Sequence, residues 1–592
     1  MRHPARFTLL AIFLAPAALR AQDAKVESQL LLTLEPGAQY EISPKGLHLA
    51  AVALRGSRQV LVHDGIDGPR FDQVLSLQRN SAGKVAWSDD GARWAYHAKL
   101  GQEYVVLVDG KEVARGPWSP DLQAQGRTPV YELGFTPGGK HWYLTTETQT
   151  TGRQNFQMTL DGVVGPLTQD YLTPLWSPDG EHHTYIQKIA TATMTQPRYV
   201  LIVDGKPAPY LAGGMQWTGD SKHLITRRVI PGTSNEDVFA DGAPLLRMPG
   251  GTAFTMAPGS PAMLGVAATT FQNGARGTFL LVGTRKAAGS ECTATGGLDA
   301  VYISADAKHY AARCANSFMY VDGKKGQEYP GGLSSLLFTD DGRPVYYGRT
   351  NQRVFMVIGE QESDAYTTIV EVLGHTRETR GQSGGPPAVV RGNHVGYVAN
   401  TKPGDGFATV VVVDGKALPA EAARELSLSP DGTRFAFLFG RNSAVNVDGT
   451  PYANTSVEQG TADVGYQGLF HWTPDSKHVA WIQSQPYGVA IDGRLIASQG
   501  WVRFASFTGD GKHIVWLARG PGSEHQVWVD GVKVLTLPGN TPLENDADVY
   551  WSFPADGSIS LVAQDNEGMK RFHIVPGGGS IEATAAKGTP LK

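Results

Sequence analysis

Three kinds of residue group in this sequence have types and spacing that could do chemistry. Residues 381–385, Gly-Gln-Ser-Gly-Gly, match the G-x-S-x-G pattern in which a serine acts as a nucleophile for acyl transfer. The acid pairs at 89–90 and 340–341 could bind calcium or take part in general acid–base catalysis. The histidine pair at 182–183 could ligate a transition metal.

Each of these groups also has a structural interpretation, which the sequence favours. A nucleophile elbow needs a helix after the serine, and Pro386-Pro387 blocks a helix start with normal donors. Both acid pairs fall where the chain is predicted to turn. The pair 182–183 has no further ligand at metal-binding spacing. The sequence therefore identifies no catalytic residue, and it predicts no metal and no cofactor.

The elements that would position such residues come from a repeat of about 40 residues. Its first half is an aromatic residue, Ser or Thr, a turn and a β-rich run, as in WSPDGEHHTYI at 176–186. Its second half is an apolar run that ends in Asp-Gly, as in VLIVDGK at 200–206 and VVVVDGK at 410–416. The two halves alternate along the chain, which gives about thirteen copies.

Each half-repeat specifies a hairpin, because Pro, Asp and Gly each suit one position of a tight turn. Two hairpins make four antiparallel strands, and a four-stranded unit repeated many times is typical of a β-propeller. The composition agrees, with 71 Gly and 36 Pro among 592 residues. We therefore predict an all-β fold: tandem β-propellers of four-stranded antiparallel blades, about thirteen repeats in total. The aromatic residue before each turn is expected to pack between blades.

Histidines recur at one position just after the first turn of the repeat. Recurrence at an equivalent position indicates a shared structural role rather than a single site. The members of this set are His141, His182, His223, His309, His478 and His513.

The first 21 residues resemble a secretory signal peptide, with Arg2 and Arg6 ahead of an apolar run and a small residue at Ala21. No later stretch reaches the ~18 apolar residues that a membrane helix needs. Removing three arginines and no acid changes the net charge from −4 to −7. We expect an exported protein, periplasmic or secreted, that does not bind nucleic acid. In such a compartment Cys292 and Cys314 could form a disulfide, or they could be two buried thiols.

Propellers usually have four to eight blades, so thirteen repeats predict two of them. The most linker-like segment is 375–387, which would separate about eight repeats in 22–374 from about five in 388–592. Alternatively, the chain divides into seven and six repeats near 331–332, and 375–387 is an inserted loop. In a third arrangement, a strand at 29–34 closes a ring built mainly from the other end of the chain.

The repeat resembles the WD40-like propeller repeat of TolB, a periplasmic translocation protein. The resemblance rests on motifs such as WSPDG at 176–180 and LSPDG at 428–432, and it covers nearly all of 40–580. The same repeat type occurs in dipeptidyl-peptidase and prolyl-oligopeptidase propellers. The resemblance implies a propeller fold but no function, because the matching residues are turn and core residues. The chain departs from these families by showing neither the small α/β domain of TolB nor the hydrolase domain of the peptidases.

A binding site is expected on one face of the propellers. In a four-stranded blade the first and third turns share a face, and both are short and uniform in this repeat. The opposite face carries longer and more variable segments, where binding commonly resides. These segments are 146–155, 188–198, 269–278 and 400–407, and the candidate ligand-binding residues in them are Arg153, Arg198, Phe271 and Arg276.

Two functions are compatible with this sequence. The first is an exported, non-catalytic β-propeller that binds a protein or a glycan as a scaffold module of the cell envelope. The second is an enzyme, a lyase or glycan hydrolase, whose site is assembled from several blades at the mouth of a propeller channel.

Overall fold

A computed structural model of the chain consists almost wholly of short antiparallel strands. Its described residues include two short α-helices, Pro120–Ala124 (α1) and Ile581–Lys587 (α2), and one 3₁₀ turn at Pro137–Gly139. Among the described helices, none combines the length and apolar character needed to cross a bilayer. The structure describes residues 24–32, 40–44, 48–77, 83–150, 153–169, 172–189, 198–208, 214–230, 235–249, 254–256, 263–270, 276–282, 285–286, 292, 297–304, 306, 308–370, 388–441, 443–452, 457, 469–498, 500–539, 551–565 and 567–591.

The strands form thirteen antiparallel sheets in the described residues, which we number as blades in chain order. Blades 1 to 4 contain the strands Tyr40–Ile42, Leu49–Arg55, Arg58–His63 and Ile66–Asp67; Gln73–Val74, Ala86–Trp87, Trp94–Leu100, Glu103–Val108 and Lys111–Pro117; Val130–Phe135, Trp142–Thr150, Arg153–Leu160 and Val163–Thr168; Leu175–Trp176, His183–Ile189, Arg198–Val203 and Lys206–Pro207.

Blades 5 to 8 repeat this pattern along the chain. They contain the strands Gly214–Trp217, Leu224–Val229, Asn235–Ala240 and Ala243–Pro249; Phe254–Met256, Met263–Thr270, Arg276–Val282 and Arg285–Lys286; Leu298–Ile303, Tyr310–Cys314, Phe318–Val321 and Lys324–Lys325; Gly332–Leu333, Leu337–Phe338, Pro344–Arg349, Val354–Ile358 and Gln361–Glu362.

Blades 9 to 13 complete the series, and the last of them takes one strand from the other end of the chain. They contain the strands Thr368–Val370, Val389–Arg391, His394–Asn400, Ala408–Val413 and Lys416–Glu421; Arg424–Leu428, Phe435–Phe439, Ala444–Val447 and Thr450–Tyr452; His471–Trp472, Val479–Ser484, Tyr487–Ile491, Arg494–Ala497 and Thr589–Pro590; Trp501–Phe507, Ile514–Arg519, His525–Val529 and Val532–Leu537; Trp551–Ser552, Ile559–Gln564, Met569–Val575 and Lys25–Leu32.

This is the architecture of a β-propeller, and it confirms the predicted all-β class and repeat number. The turn chemistry is as expected for type I′ hairpins, in which both central residues have positive φ. In blade 4, Asp204 has a φ of 47° and Gly205 a φ of 74°. Asp reaches this region because its short polar side chain can bond locally, and Gly reaches it freely.

Apolar side chains form cores between successive blades. Between blades 3 and 4, Phe156 and Met158 pack against Tyr185 and Ile202. The aromatic residue before each turn takes part, as predicted: the indole N–H of Trp217 in blade 5 donates to the Leu175 carbonyl of blade 4 at 3.1 Å. Blade 4 is therefore buried on both faces, against blade 3 on one side and blade 5 on the other.

The two ends of the chain meet in blade 13. Strand Lys25–Leu32 pairs antiparallel with Met569–Val575, supplying the fourth strand of a sheet whose other three come from the C-terminal end. Leu31 is fully buried and packs with Leu49 and Val60 of blade 1. The sequence placed such an N-terminal strand at 29–34, whereas the observed strand is Lys25–Leu32. That this strand closes a ring of blades stays a prediction.

The predicted linker at 375–387 lies outside the described residues, but the strands on either side of it are described. Thr368–Val370 and Val389–Arg391 both pair with the same strand, His394–Asn400. The described strands on both sides of the segment therefore belong to blade 9. Whether 375–387 is a linker or an inserted loop stays a prediction. The division of the blades into two propellers stays a prediction. The predicted signal peptide at 1–21 also lies outside the described residues.

Candidate functional site

A hydrogen-bonded pair links the first and third turns of most described blades. In blade 12, His513 Nδ1 lies 2.6 Å from Asp530 Oδ2, while the other carboxylate oxygen accepts from the Ile514 amide at 3.1 Å. Arginine replaces histidine in blades 2 and 10, as Arg93–Asp109 and Arg434–Asp448. The histidine pairs are His48–Asp64, His141–Asp161, His182–Asp204, His223–Asp241, His309–Asp322, His394–Asp414, His478–Asp492 and His513–Asp530.

This network confirms the predicted structural role of the recurring histidines. It also explains the pair at 89–90, whose side chains bond within the turn or to the next blade, and Asp341, whose carboxylate accepts from the Thr339 hydroxyl and from Arg343 Nε. Asp90 accepts from the Ser88 hydroxyl at 2.5 Å, and Asp89 accepts from the Gly138 amide of blade 3 at 3.1 Å. In the equivalent turn of blade 10, hydrogen bonds from the Ser429 hydroxyl and the Thr433 amide lower the pKa of Asp431 to about 2. These carboxylates are turn-forming acceptors.

Blade 1 departs from the repeat at one position. The residue before the Asp of the Asp-Gly turn is apolar in the other blades that carry this turn, and in blade 1 it is His63. The apolar counterparts are Val108, Leu160, Val203, Ala240, Val321, Val413, Val447, Ile491 and Val529.

The His63 ring lies among other rings from blades 1 and 2. Its centroid is 4.3 Å from that of Trp94, with the two planes only 10° apart, and 5.1 Å from that of His48. Its Nε2 atom is buried and has no hydrogen-bond partner among the described residues. Burial lowers the pKa of His63, and the nearby His48 and Arg571 lower it further against the opposing charge of Asp64.

Asp64 joins this group to blade 13. Its carboxylate accepts from His48 Nδ1 at 2.6 Å, from the Leu49 amide at 2.9 Å and from Arg571 Nη2 at 3.2 Å. Burial would raise the pKa of Asp64, but these partners outweigh it and hold the pKa at about 2. Asp64 is therefore a carboxylate at neutral pH.

His48, His63 and Asp64 together form what we call the blade 1 cluster. One donor atom from each residue can be chosen so that all three lie within 4.8 Å of one another. No other group of three His, Cys, Asp or Glu side chains in the described part of the chain meets this condition. The repeat pattern did not predict the cluster because a single exchanged residue creates it, although a histidine at an otherwise apolar repeat position is a signal visible in the sequence.

Of the predicted ligand-binding residues, Arg153, Arg198 and Arg276 lie at the second hairpin of blades 3, 4 and 6. Arg153, Arg198 and Arg276 each begin the third strand of their blade, and the side chain of Arg198 is exposed. The side chains of Arg153 and Arg276, and the whole of Phe271, lie outside what the structure describes. Their role in binding stays a prediction.

The predicted variable loops are shorter than expected, because their ends continue the strands. The hairpin of blade 3 pairs Thr150 with Arg153, so only 151–152 remain between the strands. In blade 6, Thr270 pairs with Arg276 in the same way.

Cys292 and Cys314 are joined by a disulfide in blade 7, with Cα atoms 5.7 Å apart. Both residues are buried, within a core that includes Leu298 and Phe318. The bond ties the segment before the first strand of the blade to the end of its second strand.

The second hairpins carry exposed apolar side chains. These residues flank the turn between the second and third strands of blades 1, 4, 5, 9 and 11, on the face opposite the His–Asp network. The set is Leu54, Tyr199, Val229, Phe407 and Tyr487, with exposures from 42% to 62%. We call this the hairpin face.

Comparisons with known proteins add structural neighbours only. No family model matches the chain, and no curated protein matches it. The β-propeller domain of the Trilobed protease from Pyrococcus furiosus is 10% identical over 54% of this chain and 96% of its own, with a TM-score of 0.19. The dihydro-heme d1 dehydrogenase NirN in complex with DHE is 13% identical over 57% of this chain and 77% of its own, with a TM-score of 0.22. At these TM-scores neither neighbour supports a conclusion about function, and the TolB resemblance stays a prediction.

Proposed function

We propose that this protein is an exported, non-catalytic propeller that binds a protein or a glycan of the cell envelope through its hairpin face. One observation carries the proposal: the loop at 401–407 of blade 9 holds an aromatic ring in solvent. Phe407 is 44% exposed. Rigid aromatic side chains supply much of the binding energy at protein interfaces, and their faces also pack on apolar surfaces of a partner.

The loop that bears Phe407 is held by its own hydrogen bonds. Asn400 Nδ2 donates to the Asp405 carbonyl at 2.9 Å, and the Phe407 amide donates to Asp405 Oδ1 at 3.1 Å. The guanidinium of Arg441 lies 4.7 Å from the Phe407 ring centroid. The ring is therefore positioned before any partner arrives, which reduces the ordering cost of binding.

The opposite face supports the same assignment. Its histidines, hydroxyls and carboxylates bond to one another in the repeated turn network, as in the Ser177–Asp179 and His182–Asp204 contacts of blade 4. A partner that bound these groups would have to break contacts that connect the turns of each blade.

The test places a photo-crosslinking amino acid at Phe407 or Tyr199 of the full chain in intact cells. Matched control positions are Val163 and Val532, which are 74% and 50% exposed but lie on the outermost strands. If the partner is a protein, we expect the same adduct from both hairpin positions and none from the control positions. If it is a glycan, we expect the protein to retain one class of glycan on an array. Phe407→Ala should then weaken binding at least about tenfold. Equal adducts at control positions, or neither adduct nor glycan at the hairpin positions, would reject the proposal.

The export part of the proposal rests on residues 1–21 and has its own test. Cell fractionation should place the protein outside the cytoplasm, and N-terminal sequencing of the purified protein should begin at Gln22. An intact N-terminus in a cytoplasmic fraction would contradict export without affecting the binding test.

A further inference from the structure

We propose that the blade 1 cluster binds a divalent transition-metal ion of the Zn²⁺ and Cu²⁺ class. His48 and His63 supply imidazole nitrogens and Asp64 supplies a carboxylate oxygen. Borderline metals prefer this mixture of nitrogen and oxygen ligands, whereas Ca²⁺ and Mg²⁺ prefer oxygen alone. The site lies at the junction of blades 1 and 13 and is independent of the hairpin face.

His63 occupies a repeat position that is apolar in the other blades with this turn, and this points to a role beyond folding. The Asp-Gly turn folds with a Val, Leu, Ile or Ala before the Asp in the other blades that carry it, as with Val108 and Val203. The hairpin therefore does not require a histidine there. The His48–Asp64 contact, by contrast, repeats the pairing found elsewhere, as in His182–Asp204.

The state of His63 Nε2 also points to a ligand. The atom is buried and lacks a hydrogen-bond partner among the described residues. Buried polar atoms in folded proteins nearly always have a partner. A metal ion bound through Nε2 would give this atom a partner, and the Trp94 ring, whose centroid is 4.3 Å from that of His63, fixes the plane of the imidazole.

The distances allow the site to close with a small movement. Tetrahedral Zn²⁺ with ligands at about 2.1 Å places its donor atoms about 3.4 Å apart. The three donor atoms of the cluster lie within 4.8 Å of one another. The required shift of up to about 1.4 Å is available to His48, whose side chain is 30% exposed.

Arg571 of blade 13 competes with the ion. Its Nη2 atom lies 3.2 Å from both oxygens of Asp64, so a cation that takes this carboxylate as a ligand must displace or repel the guanidinium. Metal binding would then exchange one contact between blades 1 and 13 for three ligands within blade 1. The proposal therefore predicts opposite effects for loss of His63 and loss of Arg571.

The test measures Zn²⁺ and Cu²⁺ binding to the untagged full chain by calorimetry. His63→Val installs the residue that several other blades carry, so the variant should fold; we expect it to weaken binding at least about a hundredfold. Arg571→Gln should tighten binding at least about fivefold, because it removes a positive charge beside the ligands. Electron paramagnetic resonance of the Cu²⁺ form should show two imidazole nitrogens in the native protein and one in His63→Val.

Blade 4 offers the matched control. It has the same residue types in His182, His183 and Asp204, but they do not meet the distance condition that the blade 1 cluster meets. His183→Val should therefore leave the affinity unchanged. The proposal is overturned if the native chain binds less than one ion, if His63→Val binds as tightly as native, if His183→Val weakens binding equally, or if Arg571→Gln weakens it.

Discussion

The carboxylate of each Asp-Gly turn contacts two partners at once. One oxygen pairs with the histidine or arginine of the neighbouring turn, and the other accepts a backbone amide, as Asp530 does with His513 and Ile514. The same chemistry is repeated in environments of different exposure. The side chains of His513 and Asp530 are 12% and 10% exposed, while those of His223 and Asp241 are 53% and 52% exposed.

This difference makes the pair's contribution testable. Asp530→Ala should lower the free energy of unfolding by about 1–3 kcal/mol more than Asp241→Ala, because it leaves buried donors without an acceptor. The cost of placing alanine in the left-handed conformation is the same in both variants and cancels in their difference, because Asp530 and Asp241 have φ values of 50° and 49°. Chemical denaturation of both variants measures the difference, and equal losses would contradict the role given to burial.

His97 in blade 2 predicts a pH dependence. Burial lowers its pKa to about 4, and Lys84 lowers it further against the hydrogen bond of its Nε2 with the Ser76 carbonyl at 2.8 Å. Between the unfolded pKa of about 6.5 and the folded value, the unfolded chain binds the extra proton, so stability falls as the pH falls. The total loss by pH 4 is about 3 kcal/mol.

The variant His97→Gln keeps a donor for Ser76 but does not titrate. In the native protein, His97 contributes about 1.4 kcal/mol per pH unit to the pH dependence of the unfolding free energy between pH 6 and 4.5. The pH dependence of His97→Gln should be smaller by this amount. An unchanged slope in His97→Gln would show that this histidine is protonated in the folded protein.

The hairpin is the element that the sequence predicts best, because its turn chemistry is local. Ser-Pro-Asp-Gly turns also contact a neighbouring blade. Their glycine is therefore required both for its positive φ and for the close approach of the two blades. A Cβ at Gly180 of blade 4 would lie 2.2 Å from the Pro137 carbonyl oxygen of blade 3. Gly205 in the third turn of the same blade has the same φ of 74° but no atom within 4 Å.

Comparing alanine variants of these two glycines distinguishes the cost of backbone strain from the cost of disturbing the contact between blades. Gly205→Ala should cost about 1–2 kcal/mol for the left-handed conformation alone. Gly180→Ala should cost about 1–3 kcal/mol more, because the blade 3 backbone must move. The comparison uses denaturation midpoints of the two variants. If the costs are equal, the turns of successive blades do not pack as described.

What the sequence could not predict is set by contacts between distant segments. Repeats and turns are predictable because residues a few positions apart decide them, as in WSPDG at 176–180. Thr368–Val370 and Val389–Arg391 pair with the same strand, His394–Asn400, and local composition does not determine such pairing. The contact of Arg571 with Asp64 joins residues 507 positions apart, beyond any local pattern.

Closure by the N-terminal strand holds the whole series of blades together at its ends. Leu31 is fully buried between blades 13 and 1, whereas its neighbour Leu30 points outward and is 44% exposed. Because blade 13 also packs on blade 12 through Trp551 and Phe504, loss of the strand should affect three blades.

Adjacent leucines provide the test of closure. Leu31→Ala should destabilise the protein by about 2–5 kcal/mol through a cavity at the junction, and Leu30→Ala should change stability by about 0.5 kcal/mol or less. Hydrogen exchange should locate the loss of protection for Leu31→Ala in 49–63 and 559–575. Protection lost evenly along the chain, or equally in Leu30→Ala, would mean that the N-terminal strand does not close the series in this way.

Blade 13 pairs two strands that the ribosome makes at widely separated times. Leu32 and Met569, partners in the finished sheet, are 537 positions apart (569 minus 32). At about 5–20 residues per second, a ribosome needs on the order of a minute to make the second after the first. Throughout that time the strand has an unsatisfied edge, which favours a holding chaperone. A truncated product that lacks 569–575 cannot complete this sheet, so its N-terminal strand keeps an unpaired edge.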